Sequence, residues 1–90
     1  MLHKSNMLYT GTNALSTSNE LLVAARAERI CVEVRNTSTD IVTYIGFNSA
    51  MTAGTGHAIT PLGVTVLEGY VGPLYAIAAS ATPTVTYAEW

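Results

Sequence analysis

Glu28-Arg29-Ile30-Cys31-Val32-Glu33-Val34-Arg35 is the stretch that decides the fold of this chain. Ile30, Val32 and Val34 fall on one side of a period of two, and Arg29, Cys31, Glu33 and Arg35 on the other. That alternation belongs to a strand with one face on a core and one face outward. Asn36-Thr37-Ser38-Thr39-Asp40 follows, with side chains that hydrogen-bond their own backbone and favour turns. Ile41 to Phe47 is then rich in β-branched and aromatic residues, with apolar groups on both faces, and reads as a second strand. The two runs and their short connection predict a hairpin.

Downstream, the chain continues as short strands separated by turn residues. Asn48 to Gly56 is loop, ending in Gly54-Thr55-Gly56, and His57 is a loop histidine behind those glycines. Val64 to Glu68, Leu74 to Ala79 and Thr84 to Trp90 read as strands, divided by Gly69-Tyr70-Val71-Gly72-Pro73 and Ser80-Ala81-Thr82-Pro83. This spacing predicts an all-β fold, a small β-sandwich or jelly-roll-like barrel. Upstream, residues 1–19 show no sustained period and read as an extended N-terminal arm with anchors such as Leu8 and Tyr9, leaving residues 20–90 as the sandwich domain. Thr17-Ser18-Asn19-Glu20 has capping-box spacing, so periodicity leaves either a short helix or a strand open for the residues after it.

Composition narrows the function. Hydrophobic residues make up 49% of the 90 residues and charged residues 11%, against ~25% charged in ordinary soluble domains. A small domain exposes proportionally more surface, so so little charge implies that part of that surface is covered by copies of itself or by a partner. Four basic residues and a net charge of −2 argue against nucleic acid. No apolar run approaches the roughly 18 residues of a membrane span. Met1 to Asn6 leads into no apolar segment, so no signal peptide is expected. The lone Cys31 permits no internal disulfide, which suits assembly in a reducing cytoplasm.

No catalytic, metal or cofactor site is expected. One aspartate, Asp40, and two separated histidines, His3 and His57, give no nucleophile elbow and no zinc-ligand spacing. Glu28, Glu33, Glu68 and Glu89 are scattered and read as solvated, and Gly54-Thr55-Gly56 lacks the lysine of a phosphate loop. Asn36-Thr37-Ser38 matches a glycosylation sequon but reads as a turn. Arg29, Glu33 and Arg35 form an alternating-charge row, either solvated or fixing register between subunits. Cys31 is a small residue at a covered position, with a reactive thiol as the alternative.

The string Ala25 to Ser38 resembles the opening strand of small β-sandwich virion proteins of tailed bacteriophages, as do Tyr44-Ile45-Gly46, Thr52-Ala53-Gly54-Thr55-Gly56 and Gly72-Pro73-Leu74-Tyr75-Ala76-Ile77-Ala78-Ala79. The resemblance covers about residues 20–90 and implies an extended Leu21 to Ala24. It further implies a head decoration (cement) protein, a homotrimer bound to the major capsid protein on the outer surface of the capsid and made in the host cytoplasm. Leu8, Tyr9, Arg29, Glu33 and Arg35 are then interface candidates, and deleting residues 1–15 is expected to abolish shell binding while the domain stays folded. Tail, baseplate or fibre-base components form one alternative. A carbohydrate-binding module using Tyr70, Tyr75 and Trp90 as stacking faces forms another. Tyr44, Phe47, Tyr70 and Tyr75 belong either to the core or to a subunit interface.

Overall fold

Alternating sequence becomes alternating structure over most of the chain. The computed structural model describes residues 9–90. It contains strands β1 (Tyr9–Ala14), β2 (Glu20–Val23), β3 (Cys31–Asn36), β4 (Thr43–Gly46), β5 (His57–Ile59), β6 (Val64–Glu68), β7 (Leu74–Ala78) and β8 (Thr84–Glu89), and no helix among the described residues. The strands form two four-stranded antiparallel sheets, in the orders β1-β8-β3-β6 (sheet 1) and β2-β7-β4-β5 (sheet 2). The all-β sandwich is therefore correct, and its strand order is that of an eight-stranded jelly roll.

The core lies between the sheets. Val32 and Val34 of β3, Val85 of β8, Ile45 of β4, and Leu74 and Ala76 of β7 are buried there, joined by Leu15 from the β1–β2 turn. Gly11 of β1 faces inward because Tyr87 needs the space: a Cβ there would lie 2.5 Å from the ring. Tyr70 and Tyr87 pack against the core. Tyr44 and Tyr75 lie half-buried on the outer face of sheet 2, and Phe47 is exposed.

The structure decides four local readings, three of them against expectation. The hairpin between the first two strands does not form, because β3 belongs to sheet 1 and β4 to sheet 2. The turn is there, but Asn36 sends it across the sandwich. Its Oδ1 accepts from the Ser38 amide at 3.0 Å, while its Nδ2 donates to the Ile41 carbonyl of the β3–β4 crossing at 2.8 Å and to the Ile59 carbonyl at the end of β5 at 3.0 Å. Second, His57 starts β5, a strand too short to show any period.

Third, residues 20–23 are extended and paired with β7, as the resemblance implied, and the helix left open by the capping-box spacing is absent. Asn19 instead donates across the sandwich end to the Ser49 and Met51 carbonyls, at 2.9 and 3.0 Å. Fourth, residues 9–14 of the expected arm are β1, an edge strand paired along its whole length with β8. Removing residues 1–15 would strip that strand and the buried Leu15, so that deletion cannot leave the domain intact.

Candidate interaction surface

The register of sheet 1 fixes its outward face. One row runs Thr10, Ala88, Glu33, Val66 across β1, β8, β3 and β6, and the next runs Thr12, Thr86, Arg35, Val64. Pairing partners share a face in an antiparallel sheet, so these side chains point away from the core. The face is low and nearly neutral. Its two central charges, Glu33 and Arg35, lie 3.7 Å apart with side chains 31% and 54% exposed. A solvated pair of that kind contributes little to stability.

Arg29 does not belong to this row, contrary to the alternation of its sequence. The Ile30 and Cys31 amides both donate to the Trp90 carbonyl, at 2.7 and 2.8 Å. Two residues thus oppose one, as in a β-bulge, and the parity resets. Ile30 turns out to solvent and Arg29 turns in, where it is 3% exposed and out of reach of any partner protein.

Inside, Arg29 closes one end of the sandwich. Its Nη1 donates to Glu89 Oε1 at 3.0 Å and to the Ala24 carbonyl at 3.2 Å. Its Nε donates to the Tyr70 carbonyl at 3.1 Å and its Nη2 to the Gly72 carbonyl at 2.6 Å. One guanidinium therefore ties the β2–β3 and β6–β7 connections to the last residue of β8. Arg26 grips the same carboxylate as a fork, Nε to Oε1 at 3.2 Å and Nη2 to Oε2 at 3.3 Å. Its guanidinium also stacks on Tyr9, 3.8 Å from the ring centre.

Glu89 is pulled two ways. Burial pushes its carboxyl up, but hydrogen bonds from Arg26 and Arg29 favour the charged form and hold it below the ordinary carboxylate range. The same hydrogen bond raises Arg26.

The expected interface residues therefore separate. Glu33 and Arg35 lie on the outer face of sheet 1, Tyr9 sits under Arg26, Arg29 is buried, and Leu8 lies outside the described residues. Sequence reasoning treated Glu89 as solvated. The usable signal was parity: Val85, Tyr87 and Glu89 share the inward face of β8, and a carboxylate there requires a cation. Tyr70, proposed as a stacking face, donates its hydroxyl to the Pro73 carbonyl at 2.6 Å and packs its ring 4.8 Å from Phe47. Among the described residues no three His, Cys, Asp or Glu side chains gather as metal ligands.

Cys31 is buried, and burial, followed by the charges of Glu68 and Glu33, raises its thiol above the ordinary value. Since the thiolate is the reactive form, a maleimide or disulfide reagent should label the folded protein roughly tenfold or more slowly than the urea-unfolded chain. Equal rates in the two states, read by thiol titration, would contradict this placement.

No protein-family model matches the chain, and no curated protein matches it. Among solved structures it is similar to a chain from the work titled "Bacillus endospore appendages form a novel family of disulfide-linked pili". The TM-score is 0.49 at 11% identity, over 100% of this chain and 93% of that one. A likeness of this size carries nothing about function.

Proposed function

We propose that this chain is a non-catalytic structural module of a phage virion, a head decoration protein that binds the outer surface of the capsid as a homotrimer. The observation that supports this reading is the outer face of sheet 1. Thr10, Thr12, Thr86 and Ala88 make it low, and the Glu33–Arg35 pair makes it nearly neutral, so another protein can cover it without burying an unpaired charge. The low overall charge of the sequence fits a surface that is covered in use.

A ligand that binds only the assembled shell stabilises that shell by linkage, and repeated contacts add through multivalency. Cryo-electron microscopy of the particle that contains the chain tests the proposal. Density for the sandwich on the outside of the head, in groups of three, is expected. Density confined to the tail or baseplate, or absence from the particle, overturns it.

A further inference from the structure

Natural sheets protect their edge strands by shortness, bulges, charge or proline. Both edges of sheet 2 follow that rule. β2 has four residues and a register break between Leu21 and Val23, and β5 has three residues. Sheet 1 does not follow it. β1 offers Thr10-Gly11-Thr12-Asn13-Ala14, with no charge, no proline and unbroken register. At the opposite edge, β6 presents Val64 and Val66 at 42% and 52% exposure, continued outward by Leu62 at 62%. Leu62 also sits at φ 63, in the left-handed region that a residue with a Cβ seldom adopts. The turn Thr60-Pro61-Leu62-Gly63, closed by the Gly63 amide on the Thr60 carbonyl at 2.8 Å, sets that conformation and holds the Leu62 side chain outward beside Val64 and Val66.

We propose that sheet 1 continues from copy to copy, with β6 of one chain pairing antiparallel to β1 of the next. Strand direction makes this fit. Neighbours in sheet 1 are all antiparallel, so β1 and β6, the first and last of four, run in opposite senses. A second copy in the same orientation therefore brings its β6 antiparallel to β1 without being turned over. The side-chain rows agree as well: Val64 and Val66 come beside the β1 threonines as β-branched neighbours, and Glu68 meets no like charge.

Pairing β1 with β1 would leave the apolar strip of β6 bare, and pairing β6 with β6 would leave β1 bare. Only the unlike pairing covers both edges with a single type of contact. Such a contact is heterologous and propagates until it closes as a ring or extends as a filament. The inference rests on the proposed self-association and deepens it by naming the two edges through which copies meet, and it does not depend on where in a particle the assembly sits.

Sedimentation velocity on the full chain, over a wide concentration range, tests it with two edge-blocking substitutions, Thr12→Lys in β1 and Val66→Lys in β6. Wild type should form species larger than a dimer. Each variant alone should be monomeric with an unchanged far-ultraviolet spectrum and a cooperative melt that does not depend on protein concentration. An equimolar mixture should form a one-to-one heterodimer, because each variant keeps the edge the other has lost. A wild-type chain that stays monomeric or stops at a dimer overturns the inference, as does a Val66→Lys chain that still self-associates or a mixture that stays monomeric. Should either lysine impair folding, Thr10→Lys and Val64→Lys repeat the test on the same faces. A monomer found on the head would overturn this inference and the grouping in threes but leave the proposed location standing, whereas an assembling chain found off the head would overturn only the proposed location.

Discussion

Arg29→Ala is expected to remove a large part of the folding stability, about 3–5 kcal/mol, the usual cost of deleting one partner of a buried ion pair. The substitution leaves Glu89, itself 2% exposed, with only the half-exposed Arg26, and it strips the donor from the Ala24, Tyr70 and Gly72 carbonyls. Domains of this size have roughly 5–13 kcal/mol in total, so the variant should melt on the order of 15–30 °C lower. Arg29→Lys keeps the charge but has no planar fork to reach four acceptors, and it should fall between the two. Urea unfolding read by tryptophan fluorescence checks this series. A loss under about 1 kcal/mol for Arg29→Ala would show that the guanidinium is not the clamp described here.

The same clamp makes the fold sensitive to acid. The folded carboxyl of Glu89 lies below its unfolded value of about 4.3. Its stabilising contribution is therefore complete above that unfolded value, and it is lost as pH falls toward the folded one.

What the sequence disclosed, and what it hid, follows from one physical fact. A period of two reports which residues share a face, but it does not report which sheet a strand joins or where the parity slips. Val32 and Val34 were legible as core, and β6, β7 and β8 were found within a residue of their ends. Arg29 was misplaced because the bulge opposite Trp90 reverses parity just before β3, and a bulge leaves no mark in a pattern of apolar and polar residues. β1 was missed because Thr, Gly, Asn and Ala alternate weakly, although Tyr87 gives Gly11 a definite place. The edges of sheet 1 could not be anticipated at all. Whether a strand lies at an edge depends on topology, and here every strand except β4 and β5, which pair with each other, pairs only with strands distant in sequence.

The second large effect is expected at Asn36, where the chain leaves sheet 1 for sheet 2. Asn36 shows no exposed surface, and its amide is used from both ends: Nδ2 donates to carbonyls of residues 41 and 59, while Oδ1 accepts from the Ser38 amide. Asn36→Leu fills similar space but leaves those three groups unpartnered, at about 1–3 kcal/mol for each group that water cannot reach. Asn36→Asp should be similarly costly at neutral pH for a different reason. Its second oxygen would face two carbonyl oxygens, with no cation named among its partners, so the buried carboxyl is forced toward its protonated form and its folded pKa rises above the unfolded value of about 3.9. The sign of its pH dependence is then opposite to that of Glu89. Going down from neutral pH, Asn36→Asp should regain stability between its raised folded pKa and its unfolded one, whereas the wild type begins to lose the Glu89 contribution only near and below pH ~4.3. Asn36→Leu should track the wild type across that window at a constant deficit. Urea midpoints for the three proteins at pH 7 and near pH 5 decide the matter: an Asn36→Asp deficit that does not shrink at the lower pH would mean that water, rather than the two carbonyls, surrounds this side chain.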